Sequence, residues 1–210
     1  QVRLAERGEG ALVTGVSRID VLSARLAASP CLQRGGLPWV AHFNCDSAAK
    51  AFNATLDSRP RADWLVWVHQ DVFLPDGWDS RFAASLRDAQ FKFPNLAVAG
   101  VYGISGAGRS AVRAGHVLDR GQLLKEPAAL PCPVNSLDEL LLAVHVDSPL
   151  RMDPALGFDF YATDLVLQAQ EAGLASVVVD AYCEHWSDTP SSGPMPRELF
   201  ERVKANGHAF

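Results

Sequence analysis

Residues 64–68 (WLVWV) constrain this chain more than any other segment. Five apolar residues in a row leave a strand no polar face. Such a strand must lie in a sheet covered by helices on both sides. It runs directly into His69, Gln70 and Asp71. In open α/β sheets, ligands bind beyond the carboxyl ends of the strands. Two potential metal ligands, His69 and Asp71, are therefore expected on a binding rim. The plain alternative is that Asp71 starts a loop turn and His69 is a satisfied polar side chain.

The flanking segments alternate as this placement requires. Residues 11–16 (ALVTGV) read as a buried strand, and residues 20–28 as a helix ending before Pro30. Trp39–Phe43 (WVAHF) reads as a second strand. Residues 46–56 read as a helix capped by Asp46 or Ser47, with Ala49, Phe52 and Leu56 on one face. Past the turn Pro75-Asp76-Gly77, one helical face carries Trp78, Phe82, Leu86 and Ala89. Residues 96–101 (LAVAGV) read as a strand, and residues 103–108 as a plain glycine-rich loop. Residues 112–126 suggest a hairpin turning near Asp119-Arg120-Gly121. Residues 140–146 (LLLAVHV) and 176–179 (SVVV) read as strands. Residues 164–172 read as a helix closed by Gly173, and residues 196–205 as a polar closing helix. Strand–helix alternation over the first hundred residues predicts a doubly wound α/β sheet.

No repeat, linker or low-complexity tract divides the 210 residues, so one domain over 1–210 is expected. A formal net charge of -5 argues against nucleic acid as the main partner, because phosphate binding needs clustered Lys and Arg. No apolar run is long enough to span a bilayer. The first ten residues are polar and lack a signal-peptide core. Cys31, Cys45, Cys132 and Cys183 form no CxxC pair, so reduced thiols in a cytoplasmic protein are expected rather than a zinc site.

Three rim segments carry possible chemistry. Thr14–Ser17, Asn44 and Asp46, and His69–Asp71 follow the first three strands. Residues 157–164 (GFDFYATD) place Asp159 and Asp164 among aromatics, where low-dielectric surroundings raise a carboxylate toward general-base duty. An acidic residue at a helix N-terminus is also favoured by the dipole alone. Cys183-Glu184-His185-Trp186 sets a histidine beside a possible ring-stacking platform. His42, His116, His145 and His208 read as structural.

Taken in order, these segments resemble glycosyltransferase family two-like proteins of the GT-A fold, most closely the streptomycin-biosynthesis-type subgroup. WLVWVHQDVFLPDGW (64–78), GFDFYATDLVLQAQEAG (157–173) and SVVVDAYCEHWS (176–187) carry the likeness, over residues 11–187. It implies a mixed, mostly parallel central sheet with helices on both faces. It also implies transfer of a sugar from a nucleotide-diphosphate sugar to an acceptor hydroxyl, on a glycan or a small molecule, with inversion and Mn²⁺ or Mg²⁺ as cofactor. His69-Gln70-Asp71 stands where the family carries Asp-x-Asp, with Asp71 retained. His185 matches the family's downstream metal-ligand histidine, so Asp71 and His185 form the implied metal pair. The rim and the resemblance together make Thr14, Asn44, Asn53, His69, Gln70 and Asp71 the candidate donor-binding set. Tyr161 and Trp186 are the candidate acceptor contacts. The family's Glu-Asp pair, whose Asp is the base, is here Tyr161-Ala162. Asp164 and Asp159 are left as candidate bases, and Asn44 replaces a common Asp. A degenerate copy that only binds nucleotide or sugar is a second reading. A metal-dependent sugar-nucleotide hydrolase is a third.

Overall fold

The computed structural model describes residues 8–106, 108–187 and 197–209, without the side chains of residues 206, 208 and 209. Residues 1–7 of the polar N-terminal segment and the His208 side chain lie outside the described residues. The central sheet has seven strands in the order β2 (Trp39–Phe43), β1 (Gly8–Val16), β3 (Ala62–Val68), β11 (Leu141–His145), β5 (Leu96–Gly100), β12 (Ala175–Val178), β9 (Cys132–Pro133). β2, β1, β3, β5 and β12 run one way, while β11 and β9 oppose them.

Residues 64–68 of β3 are all buried, and the pleat divides their side chains between two cores. Trp64, Val66 and Val68 pack with Leu22, Trp78, Phe82 and Leu86, from α1 (Ile19–Ala24) and α4 (Trp78–Lys92). Leu65 and Trp67 pack with Phe52 and Leu56 of α3 (Ala48–Asp57), and with Tyr161, Leu165 and Val166 of α5 (Tyr161–Glu171). Helices thus cover both faces. Truncating a side chain such as Leu65 to Ala costs about 2–5 kcal/mol at sites of this kind.

A second sheet lies beyond the strand ends. Its order is β10 (Ser136–Leu137), β6 (Tyr102–Ser105), β7 (Val112–Asp119), β13 (Cys183–His185), β4 (Val72–Phe73), with β8 (Gln122–Lys125) paired to β7. β6 corrects the expectation of a plain loop over residues 103–108. Its glycine serves close packing, since a Cβ on Gly103 would lie 2.5 Å from the Ser136 carbonyl oxygen. The hairpin forms as expected: Asp119 pairs Gln122 across Arg120 and Gly121, with φ of 49° and 80°. Positive φ at both central residues matches the right-handed twist of the strands.

Three helix boundaries differ from expectation. The first helix ends at Ala24, a 3₁₀ turn follows, and Pro30 opens α2 (Pro30–Gln33) as its first residue. Proline fits that position because its fixed φ suits the first helical turn. α5 starts at Tyr161, with Phe160 at φ 66° before it, so Asp164 sits inside the first turn and does not cap the helix. α6 (Arg197–Ala209) runs past residue 205. As expected, Ser47 caps α3 by accepting from Lys50 N at 3.2 Å. All four cysteines are free thiols. Among the described residues no helix is long and apolar enough to cross a membrane.

Candidate metal centre and cavity

β3 ends at Val68, and His69 follows with its N–H donating to the Leu140 carbonyl at 3.0 Å. The chain turns, Val72 N–H donating to the His69 carbonyl, and enters β4. β13 pairs β4 with His185 opposite Val72, and pairs β7 with His185 in register with Asp119. Strand register therefore carries His185 to Asp71 across more than a hundred residues. His185 Nε2 lies 3.4 Å from Asp71 Oδ1, and His185 Nδ1 lies 2.8 Å from Asp119 Oδ1. His69 Nδ1 lies 4.0 Å from Asp71 Oδ1. One ligand atom each from His69, Asp71 and His185 falls within 4.8 Å of the others.

The electrostatics separate the two histidines. Burial, against the Asp71 charge, pushes His69 below its ordinary value, so it stays neutral. Burial also disfavours a charged His185, but hydrogen bonds to Asp119 and Asp71 outweigh it and raise it to about 9. Burial works against the Asp71 carboxylate too. The His185 hydrogen bond and the charges of both histidines still hold it below the usual range. Asp119 is held low chiefly by its bond to His185. Without an ion, His185 is thus a cation clamped between two carboxylates.

The donor set fits a divalent transition ion: two imidazoles and a carboxylate converge, and Asp119 orients one imidazole from behind. Imidazole nitrogens suit Mn²⁺ better than Mg²⁺, which prefers an all-oxygen shell.

The cluster borders a cavity of about 420 Å³ lined by Gly15, Ser17, Asn44, Trp67, Phe158 and Arg202, with His69, Gln70 and Asp71 among its walls. Gln70 shapes that wall. Its Oε1 accepts from the Ser17 and Arg18 backbone N–H groups, and its Nε2 donates to Ser17 Oγ. Asn44 reaches the rim at φ 54°, beyond β2.

Other expected site residues have different places. Thr14 is 1% exposed and does not line the cavity, so it offers no surface to a donor. Asn53 brackets Met152, donating to its carbonyl and accepting from its N–H. Tyr161 has no exposed surface, which corrects its reading as an acceptor contact. Its hydroxyl accepts from Trp67 Nε1 at 2.8 Å, donates to the Glu139 carbonyl at 3.1 Å and meets His69 Nε2 at 2.9 Å. It positions His69. Asp159 accepts two hydrogen bonds from Arg202 at 2.9 Å. Asp164 is raised by burial and accepts from Gln168 Nε2, outside the cavity lining. Trp186 is partly exposed, with the Arg25 guanidinium 5.0 Å from its ring centroid. His42 bonds Thr55, His116 packs on Tyr182 and His145 meets the Trp64 ring edge, all structural as expected.

Asp119, Glu139 and Arg202 were not singled out from the sequence. Asp119 had one signal, its place at the hairpin turn. Glu139 lies in the turn just before β11, and the strand-end rule credits only the strand's finish. Nothing in the sequence links Arg202 to residues 69–71.

The strand order and helix layers are those of the GT-A fold, with a two-histidine, one-carboxylate cluster at the end of its central strand. Among solved structures, GalNAc-T7 with UDP, GalNAc and Mn²⁺ aligns over 93% of this chain and 48% of its own, at 10% identity and TM-score 0.54. The mannosyltransferase PcManGT from Pyrobaculum calidifontis, in complex with GDP-Man and Mn²⁺, aligns over 97% of this chain and 70% of its own, at 8% identity and TM-score 0.47. No family model matches the chain. A curated protein of Fuscovulum blasticum, described as ATP synthase subunits region ORF 6, is 31% identical over 140 residues. That match covers 61% of this chain and 53% of the relative, so the chain spans about half the relative's length.

Proposed function

We propose that this chain, as one domain, is a metal-assisted glycosyltransferase that takes a nucleotide-diphosphate sugar as donor. The observation that carries the reading is the convergence of His69, Asp71 and His185 beside a cavity at the end of β3. The GT-A fold supports it, as does the likeness in fold to GalNAc-T7, which was solved with UDP, GalNAc and Mn²⁺. The ordered motifs around residues 64–78, 157–173 and 176–187 favour the streptomycin-biosynthesis-type subgroup within this reading, and with it inversion at the anomeric carbon.

His69, Asp71 and His185 would hold a Mn²⁺ ion, which supplies Lewis-acid stabilisation of a departing diphosphate. Tyr161 keeps His69 turned toward the cluster, and Asp119 does the same for His185. Gln70 holds the Ser17–Arg18 turn against the cavity. Among the described lining residues Arg202 is the one Lys or Arg, and it offers the diphosphate a second positive charge. Phe158 presents an apolar ring to the same space, suited to a base or sugar face.

One observation favours a non-catalytic nucleotide-binding module instead. The position where related enzymes carry an acidic pair is occupied by Tyr161 and Ala162, both fully buried. A thermal-shift panel of UDP, GDP, CDP, ADP and TDP with and without Mn²⁺ tests for the site, since a ligand binding only the folded state raises its stability. Release of label from sugar-labelled nucleotide hexoses separates the enzyme from the module. No Mn²⁺-dependent shift with any of the five would overturn both.

A further inference from the structure

Glu139 has no role in the reading above, and its setting suggests one. β11 opposes β3, so the start of β11 lies on the rim where β3 ends. The register Leu141 to Val68 therefore brings Asp138 and Glu139 beside His69 and the N-terminus of α5. Glu139 Oε1 accepts the Phe160 N–H at 2.6 Å, and its carbonyl accepts from the Tyr161 hydroxyl. A carboxylate from the turn before β11 is thus fastened to the start of α5, where Tyr161 and Ala162 stand in place of an acidic pair.

The competing carboxylates are committed. Asp159 is engaged by both nitrogens of Arg202, and Asp164 takes the Gln168 amide. Glu139, like them outside the cavity lining, feels the charge of Arg202, which does line it. Glu139 Oε2 makes no hydrogen bond among the described residues.

We propose that Glu139 is the general base that receives the acceptor hydroxyl proton, a role that rests on the transferase reading. The proton passes to the Glu139 carboxylate as the acceptor oxygen bonds to the anomeric carbon. The bond from that carbon to the donor's diphosphate oxygen breaks, and its electron pair leaves with the nucleoside diphosphate. Nothing is oxidised or reduced.

Burial raises this carboxyl to about 7, with the charges of Asp138 and Asp159 adding to the rise. The Phe160 N–H and Arg202 pull the other way. Among charged and titratable neighbours, Asp138 faces it from its own loop, Asp159 and Tyr161 from the α5 segment, and Arg202 from α6. A base that titrates near neutrality combines availability with proton affinity.

The test uses Glu139→Gln, which keeps an oxygen for the Phe160 N–H. The readout is nucleoside diphosphate released from UDP-, GDP- and TDP-hexoses in Mn²⁺, with water or a mixed glycan pool as acceptor. Turnover is expected to fall by about 10²- to 10⁴-fold, the usual size of a general-base contribution. Calorimetric affinity for the matching nucleoside diphosphate and Mn²⁺ should stay within about twofold, because the base meets the acceptor and not the diphosphate. Wild-type turnover at saturating donor and metal should lose its rate below a midpoint near 7. A flat wild-type profile refutes the role even if the variant fails to fold. An active wild type with a flat profile between pH 5.5 and 8.5, or with an equally active Glu139→Gln, overturns the role alone. A wild type that releases none of these diphosphates from the donors, whether or not it binds them, overturns the transferase reading, and the role with it.

Discussion

His185 Nδ1 and Asp119 Oδ1 lie 2.8 Å apart because β13 and β7 run parallel with those two residues in register. The contact turns the imidazole so that Nε2 faces Asp71 at 3.4 Å. A carboxylate behind a metal-ligating histidine fixes its orientation and raises its basicity. Asp119→Asn keeps the shape of the contact but removes the charge. Mn²⁺ affinity is expected to fall by about 10- to 100-fold, the usual size for such outer partners. Direct calorimetric titration checks it, and an unchanged affinity would return Asp119 to a hairpin-turn role.

Asp71 supplies the one carboxylate of the cluster. Asp71→Asn should abolish the Mn²⁺-dependent part of nucleoside diphosphate binding and leave any metal-independent part in place. The fold should survive, since Asn keeps the size of Asp71 and the backbone carbonyl still accepts from Trp186 N–H. Titrating UDP and GDP with and without Mn²⁺ measures both parts. Equal Mn²⁺ enhancement in the variant would refute the ligand role.

His185 gives the metal-free protein an alkaline dependence. Burial disfavours its charge, but Asp119 and Asp71 raise it to about 9 against an ordinary 6.5. The folded state therefore binds this proton more tightly than the unfolded state. That stability is fully present below pH 6.5 and is lost as pH rises through about 9. The melting temperature should decline over this interval, and His185→Ala should flatten the decline. Mn²⁺ must displace the same proton, so its affinity should rise with pH over the same range. Melting curves and metal titrations at matched pH values test both statements, and a His185→Ala profile identical to wild type contradicts them.

Tyr161 joins the core to the site. Tyr161→Phe removes the acceptor for the buried Trp67 indole N–H and the partner of His69 Nε2. A buried donor left unsatisfied costs about 1–3 kcal/mol. The same change releases the His69 ring, so Mn²⁺ affinity should weaken along with stability. Chemical denaturation and metal titration of one preparation measure both. A loss of stability with full metal affinity would show that Tyr161 serves packing alone.

Asp164 and Asp159 divide by neighbourhood. Asp164→Asn can still accept from Gln168, so turnover should hold and stability change by only a few tenths of a kcal/mol. Asp159→Asn loosens Arg202 at a partly exposed ion pair, which is worth about 0–1 kcal/mol. Freed from that pair, Arg202 should bind nucleoside diphosphate as tightly as in wild type or more so. Rates and melting curves on the two variants decide. Loss of turnover in the Asp164 variant at unchanged stability would give that residue the base role.

The sequence by itself determined the layered architecture. WLVWV has no polar face, so β3 could only be a covered central strand, and the spacing of Phe52 and Leu56, or of Phe82, Leu86 and Ala89, placed the covering helices. It also raised His69 and Asp71 as candidates, because they stood directly beyond an apolar strand, and the family resemblance added His185. Tertiary structure alone decided which of them meet. Strand direction is not written in apolar periodicity, so β11 could not be known to run backwards, and Glu139 in the turn before it stayed hidden. The strand register that sets Asp119 behind His185 depends on pairing between segments distant in sequence. Burial likewise depends on what packs from elsewhere. That is why Tyr161 and Thr14, polar and near the rim in sequence, lie inside the protein, while Arg202 from the last helix reaches the cavity wall.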